Sequence, residues 1–170
     1  SDHAMALLLS LGRKLPSLDK TVRAGKTRYT EVAQARGRVF RIRGQTLGLV
    51  GFGRIPRTLV RKAQGFGLNV VIYDPYISPG TVVGYDVEMV EELAQLLRRS
   101  DFVSVHAPLT KDTEKMFGLK QFKRMKPTAY FINTARGGLV DQKALYKALI
   151  KGYIAGAALD VIEPDLDLQN

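Results

Sequence analysis

Cysteine and tryptophan are absent from the 170 residues, and histidine occurs only as His3 and His106. Without cysteine there are no disulfides and no thiolate metal sites, a composition that fits a cytoplasmic protein. Two histidines argue against a histidine-based metal centre. No apolar run approaches the ~18 residues that a membrane span needs. The apolar stretch from Ala4 to Leu11 has neither a basic lead-in nor a following cleavage site, which excludes it as an ordinary signal peptide. Acidic residues are scarce: 16 Asp and Glu stand against 26 Lys and Arg, a net charge of +10. Residues 1–43 hold ten of the basic and three of the acidic side chains, so that segment carries +7 of the total. Such a balance raises nucleic acid as a partner. Here Arg36, Arg38, Arg41 and Arg43 interleave with small and apolar residues, and the segment reads as a solvated face or an oligomer contact, with no nucleic-acid role.

Hydrophobic residues at 45 % and charged residues at 25 % describe an ordinary globular chain, and the length allows one domain or little more. The most informative stretch runs from Thr46 to Asp74. An apolar run, Leu47 to Val50, meets a glycine turn, Gly51-Phe52-Gly53; helical spacing follows from Ile55 to Phe66, and a second apolar run from Val70 to Tyr73 ends in Asp74. This is strand, turn, helix and strand at the size of one parallel βαβ unit. Gly51 suits the tight turn, and Gly53 lets the backbone approach a bulky anion at the positive end of the helix. Asp74, 21 residues after Gly53, is placed to accept hydrogen bonds from a ribose 2′-OH. The unit therefore reads as a dinucleotide site. Asp74 is followed by Pro75, Tyr76 and Ile77, with no basic residue beside it, so NAD is favoured over NADP. The third glycine of the usual pattern is replaced by Pro56, which is compatible with a first helical turn but biases Ile55 away from helix. A shifted turn or weaker binding is the expectation.

Elsewhere, helices are expected from Ser1 to Leu11 and from Pro16 to Ala24, and no regular element from Lys26 to Arg43. Short strands are expected at Val87–Val90, Val103–His106, Ala129–Asn133 and Ala155–Leu159. Helices are expected at Glu91–Arg99, at Leu119–Met125, and from an Asp141 N-cap to Lys151. Alternating strands and helices imply an α/β fold with a doubly wound parallel sheet of Rossmann type. Polar residues stand at the strand ends: Asp74, His106, Thr134 to Arg136, and Asp160. In such a sheet, the carboxyl ends of the strands face one ligand crevice.

Three blocks, GLVGFGRIP with YDP, SDFVSVHAPLT, and INTARGGLVDQKAL with GAALDV, together resemble the coenzyme domain of the NAD-dependent D-2-hydroxyacid dehydrogenases over nearly the whole chain. YDPYISPG is most similar to the C-terminal-binding protein branch and its bacterial relatives. The resemblance implies a parent enzyme that transfers a hydride between NAD(H) and a small D-2-hydroxy acid or 2-keto acid; an NAD-sensing corepressor is the alternative. It implies linking helices and a basic arm at 1–43 that contact a partner in a homodimer, a coenzyme domain at 44–165, and a return toward a substrate domain at 166–170. The chain then reads as a coenzyme domain excised from a two-domain protein.

By the same resemblance Arg54 and Ile55 lie against the pyrophosphate, and Asp74 holds the adenosine ribose. His106, Ala107, Pro108 and Thr113 line the coenzyme groove. Thr134 and Ala135 approach the nicotinamide ribose, and Asp160 the carboxamide. Arg136 binds the substrate carboxylate and carbonyl, a two-point task that suits a planar guanidinium. The family's carboxylate, which raises the pKa of a catalytic histidine, falls on Asp165, where glutamate is usual; Glu163 is the alternative after a register change. The histidine itself would follow Asn170.

Overall fold

A computed structural model of the protein describes residues 1–37 and 39–163. Six strands form one sheet: β1 (Thr46–Val50), β2 (Asn69–Tyr73), β3 (Glu88–Met89), β4 (Phe102–Val105), β5 (Tyr130–Asn133) and β6 (Gly156–Leu159). Every pairing is parallel, in the order β3-β2-β1-β4-β5-β6. The chain builds outward from β1 through β2 to β3, then returns to the other side of β1 at β4. The doubly wound sheet is thus present, and its order reverses between β1 and β4, where such sheets form a crevice.

Side-chain alternation along the strands assigns two apolar faces. On one face Leu47, Leu49, Val70, Ile72, Phe102 and Ile132 pack with Ala4, Met5 and Leu8 of α1 (Asp2–Gly12) and Leu59, Val60 and Ala63 of α4 (Arg54–Gly65). On the other, Val71, Val103, Val105 and Phe131 pack with three helices: α5 (Leu93–Arg99), α6 (Leu119–Phe122) and α7 (Gln142–Ile150). Phe117, Phe122 and Phe131 meet there with ring centroids 4.9 to 6.3 Å apart. At the amino end of the sheet, Asp101 accepts hydrogen bonds from the Thr46 N–H and the Lys126 ammonium, each at 2.8 Å, which ties β1, β4 and the approach to β5 together.

The Asp141 N-cap forms as expected, with its carboxylate accepting from the Ala144 N–H at 3.0 Å. Four expectations need correction. The segment from Lys26 to Arg43 is not irregular throughout. After α2 (Leu15–Arg23) it forms α3 (Tyr29–Arg36), whose first turn is closed by Glu31 accepting from the Arg28 N–H at 3.1 Å. This helix buries no residue fully, so it leaves no apolar period in the sequence. The strand at Val87–Val90 shrinks to two residues, and the helix at Leu119–Met125 ends at Phe122. Finally, Ile55 is helical despite the following proline, because α4 begins at Arg54. Pro56 occupies the first turn, where no intrahelical acceptor awaits its missing N–H, and its buried ring suits the helical φ. The first bond of the helix, Arg57 N–H to the Gly53 carbonyl, closes at 3.3 Å.

Candidate functional site

The site grows from the end of β1. Gly51 adopts φ +92°, and its N–H donates to the Tyr73 carbonyl at 2.9 Å. A Cβ here would stand 2.9 Å from the His106 carbonyl carbon and 3.0 Å from the Ala107 nitrogen. The close approach of the β4 end to the β1 turn therefore demands glycine twice, by space and by dihedral. Gly53 differs: a Cβ there would meet nothing within 4 Å. Its open side faces the cavity at the α4 N-terminus, where the Arg54 and Ile55 N–H groups precede the first helical acceptor. The glycine and the free N–H groups form a cradle for an anion, favoured further by the helix dipole and the Arg54 charge. Arg57 braces the turn by donating to the Phe52 carbonyl at 3.1 Å, with its guanidinium 5.4 Å above the Phe52 ring.

Asp74 follows β2. Its carboxylate accepts from the Phe52 N–H at 2.8 Å and from the Tyr76 N–H at 2.9 Å. One oxygen thus clasps the glycine turn and the other the Asp74–Tyr76 turn. Each oxygen keeps a further lone pair for a ribose hydroxyl.

Two cavities meet at Gly53, His106, Ala107 and Pro108. One, of about 840 Å³, is lined by Arg54, Ile55, Thr134, Ala135 and Arg136 as well. The other, of about 470 Å³, adds Gly51, Asp74, Tyr76, Thr113 and Met116. Together they make one groove across the switch in strand order, with room for two nucleoside halves joined at Gly53. Thr113 spends its hydroxyl on the loop, donating to the Pro108 carbonyl at 2.6 Å, and so shapes the wall of the second cavity.

His106 sits between the two cavities, 2.9 Å by Nε2 from the hydroxyl of the buried Ser104. Burial pushes its imidazole down to about 4 from 6.5, so it is neutral at pH 7 and adds no charge to the groove. In the unfolded chain it takes up a proton near its ordinary value. The stability gained by keeping it neutral is present above pH 6.5 and lost as pH falls from 6.5 to 4. Urea titrations across that window are expected to show a smaller acid loss for His106→Gln than for the unmutated chain; identical losses would exclude His106 as a contributor.

Twelve of the thirteen coenzyme residues expected from the sequence, Gly51, Gly53, Arg54, Ile55, Asp74, His106, Ala107, Pro108, Thr113, Thr134, Ala135 and Arg136, line this groove. Asp160 lines neither cavity; its carboxylate lies 3.1 Å from Nε2 of His3 on α1. Asp165 lies outside the described residues. Sequence reasoning missed Tyr76 and Met116 on the Asp74 side, and the supporting pair Ser104 and Asn133. Both supports leave a signal: a polar residue within an apolar strand, at positions where a solvated side chain has no room.

Residues 5–169 match the family model described as D-isomer specific 2-hydroxyacid dehydrogenase, NAD binding domain. The chain is 44 % identical over 167 residues to a glyoxylate reductase of Thermococcus litoralis, covering 97 % of this chain and 50 % of that protein. It is 40 % identical to a D-3-phosphoglycerate dehydrogenase of Methanocaldococcus jannaschii, covering 97 % of this chain and 30 % of the relative. Among solved structures, D-lactate dehydrogenase with NAD+ from Lactobacillus jensenii superposes with a TM-score of 0.82 at 34 % identity, over 95 % of this chain and 47 % of the other. The chain therefore spans half or less of the length of these relatives. The match over residues 5–169, on a sheet whose β1 turn and Asp74 open onto one groove, places the chain in the D-isomer specific 2-hydroxyacid dehydrogenase family, as its NAD binding domain.

Proposed function

We propose that the protein containing this chain reduces a small 2-keto acid to the D-2-hydroxy acid with NADH. The observation that carries the reading is the convergence of Gly53, Asp74 and Arg136 on one groove at the carboxyl ends of β1, β2 and β5. Arg54, Ile55 and Gly53 hold the pyrophosphate, Asp74 the adenosine ribose, and Thr134 with Ala135 the nicotinamide ribose region. NADH, when bound, supplies the hydride. Arg136 pairs with the substrate carboxylate and orients the carbonyl. Its guanidinium is exposed in the groove and, among the described residues, donates to the carbonyl of Ala135 at 2.7 Å, an interaction that a carboxylate displaces readily. Asp165 partners a histidine supplied from outside this chain, and Asp160 turns from His3 toward the carboxamide. The names of the relatives, glyoxylate reductase and phosphoglycerate dehydrogenase, favour enzyme over corepressor; only YDPYISPG speaks for the C-terminal-binding protein branch.

The same reading takes the protein to be a cytoplasmic homodimer joined through residues 1–43, with no nucleic-acid or membrane role. Support comes from Leu15, Val22 and Tyr29, exposed at 52, 52 and 81 % on α2 and α3, helices that bury none of their residues. A monomeric mass by light scattering would remove the dimer. No helix among the described residues is long and apolar enough to cross a membrane.

The activity is tested by incubating the full-length protein with NADH and a panel of 2-keto acids beginning with glyoxylate. Steady loss of absorbance at the NADH band is the expected result; NADH binding without any turnover across the panel would contradict it. Asp74→Ala is expected to weaken NADH about tenfold and to narrow the preference over NADPH, because a hydrogen bond to a charged acceptor is lost and a repelled 2′-phosphate is relieved. Unchanged discrimination in paired calorimetric titrations would place selectivity elsewhere.

A further inference from the structure

Asn133 ends β5 and is 1 % exposed, yet it lines neither cavity. A buried carboxamide needs partners for its donor and its acceptor. Its Oδ1 accepts from the Ala135 N–H at 3.0 Å, and its Nδ2 donates to the Arg136 carbonyl at 2.8 Å. Only this orientation of the amide satisfies both neighbours, since an oxygen must face the N–H and a nitrogen the carbonyl. The two bonds close residues 133–136 into a tight turn. On its far side the same loop is pressed by the chain after β6: a Cβ at Gly137 would stand 2.6 Å from the Ile162 carbonyl carbon and 2.7 Å from the Glu163 nitrogen. The loop is therefore gripped from within by one side chain and from outside by backbone. The Arg136 guanidinium in turn rests on the carbonyl of Ala135, the residue whose N–H Asn133 holds.

We propose that Asn133 is a positioning residue for Arg136, its carboxamide setting the direction from which the guanidinium meets the carboxylate of a 2-keto acid. The inference rests on the role given to Arg136 above and adds the group that aims it. Aspartate at 133 matches the shape and keeps an acceptor for Ala135, but sets a second oxygen against the Arg136 carbonyl and opens the turn. Serine reaches at most one of the two partners.

The test uses the full-length protein with Asn133→Asp, Asn133→Ser, Arg136→Ala and the two double variants. KM and kcat for glyoxylate are measured beside the NADH dissociation constant from fluorescence quenching. Asn133→Asp is expected to lower kcat/KM by about 10- to 100-fold, mainly through KM for the keto acid, with NADH affinity changed less than about threefold. Asn133→Ser falls between the two. In the Arg136→Ala background neither change at 133 costs anything further, because the group through which Asn133 acts is gone. Equal losses in both backgrounds, or unaltered kinetics in the single variants, overturn the inference. If Asn133→Asp does not fold, the serine cycle decides by the same criterion. An unmutated protein that reduces no 2-keto acid overturns the proposed function and this inference with it, whereas an active protein indifferent to position 133 overturns this inference alone.

Discussion

Arg136→Ala in the full-length protein is expected to lower kcat/KM for a 2-keto acid by about 10²- to 10³-fold, the scale of losing a preorganised donor to developing charge. The ground for so large an effect is the geometry at the end of β5. Arg136 projects from a loop whose backbone is fixed on both sides, into the cavity shared with Gly53 and Pro108. A carboxylate with an adjacent carbonyl offers two acceptors in one plane, and a guanidinium answers both at once. Lysine restores the charge and not the fork, so Arg136→Lys is expected to recover only part of the loss. NADH affinity should move far less, because Asp74 lines the other cavity of the groove, which Arg136 does not reach. Steady-state kinetics with parallel NADH titrations separate the two. A variant with near-normal kcat/KM would remove Arg136 from the substrate site.

The two glycines of the β1 turn are expected to fail in opposite ways when changed to alanine. Gly51→Ala forces a Cβ against the His106–Ala107 backbone at φ +92°, and the combined dihedral strain and overpacking should cost about 3 kcal/mol of stability. That cost corresponds to a fall of about 10 °C in Tm for a chain of this size. Gly53→Ala meets no protein atom within 4 Å, so Tm should hold while the added methyl occupies the space a pyrophosphate needs. Thermal melts read the first variant and NADH titration the second. A stable Gly51→Ala would mean that the turn relaxes freely. A Gly53→Ala protein with normal NADH affinity would mean that the anion does not enter the cradle.

The part of this site that could be read from the sequence is the part with a period or a forced residue type. The run Leu47–Val50, Gly51, Gly53 and Asp74 announces strand, turn and acid because each step admits few residue types, and Val50, Gly51, Gly53 and Asp74 line the groove. The sheet was legible for the same reason: strands buried on both faces are continuous apolar runs. Where side chains stay half in solvent, the signal fades. Helix α3 buries nothing fully and was invisible, and β3 is a two-residue edge. Proline at 56 misled in a specific way. Its effect on Ile55 is a preference of one residue, whereas the turn is set by the Gly53 cap, the buried ring and the Arg57 bond. The pairing of Asp160 with His3 joins residues 157 positions apart, and no local pattern encodes that contact.

The most direct test of the account is a calorimetric titration of the protein with NADH and with NADPH, beside Gly53→Ala under the same conditions. One NADH per chain, clearly weaker NADPH, and loss of NADH binding in the folded Gly53→Ala protein are the expected results. Equal affinity for both dinucleotides, or NADH bound undiminished by the glycine variant, would contradict a coenzyme seated on the β1–α4 turn with its ribose on Asp74.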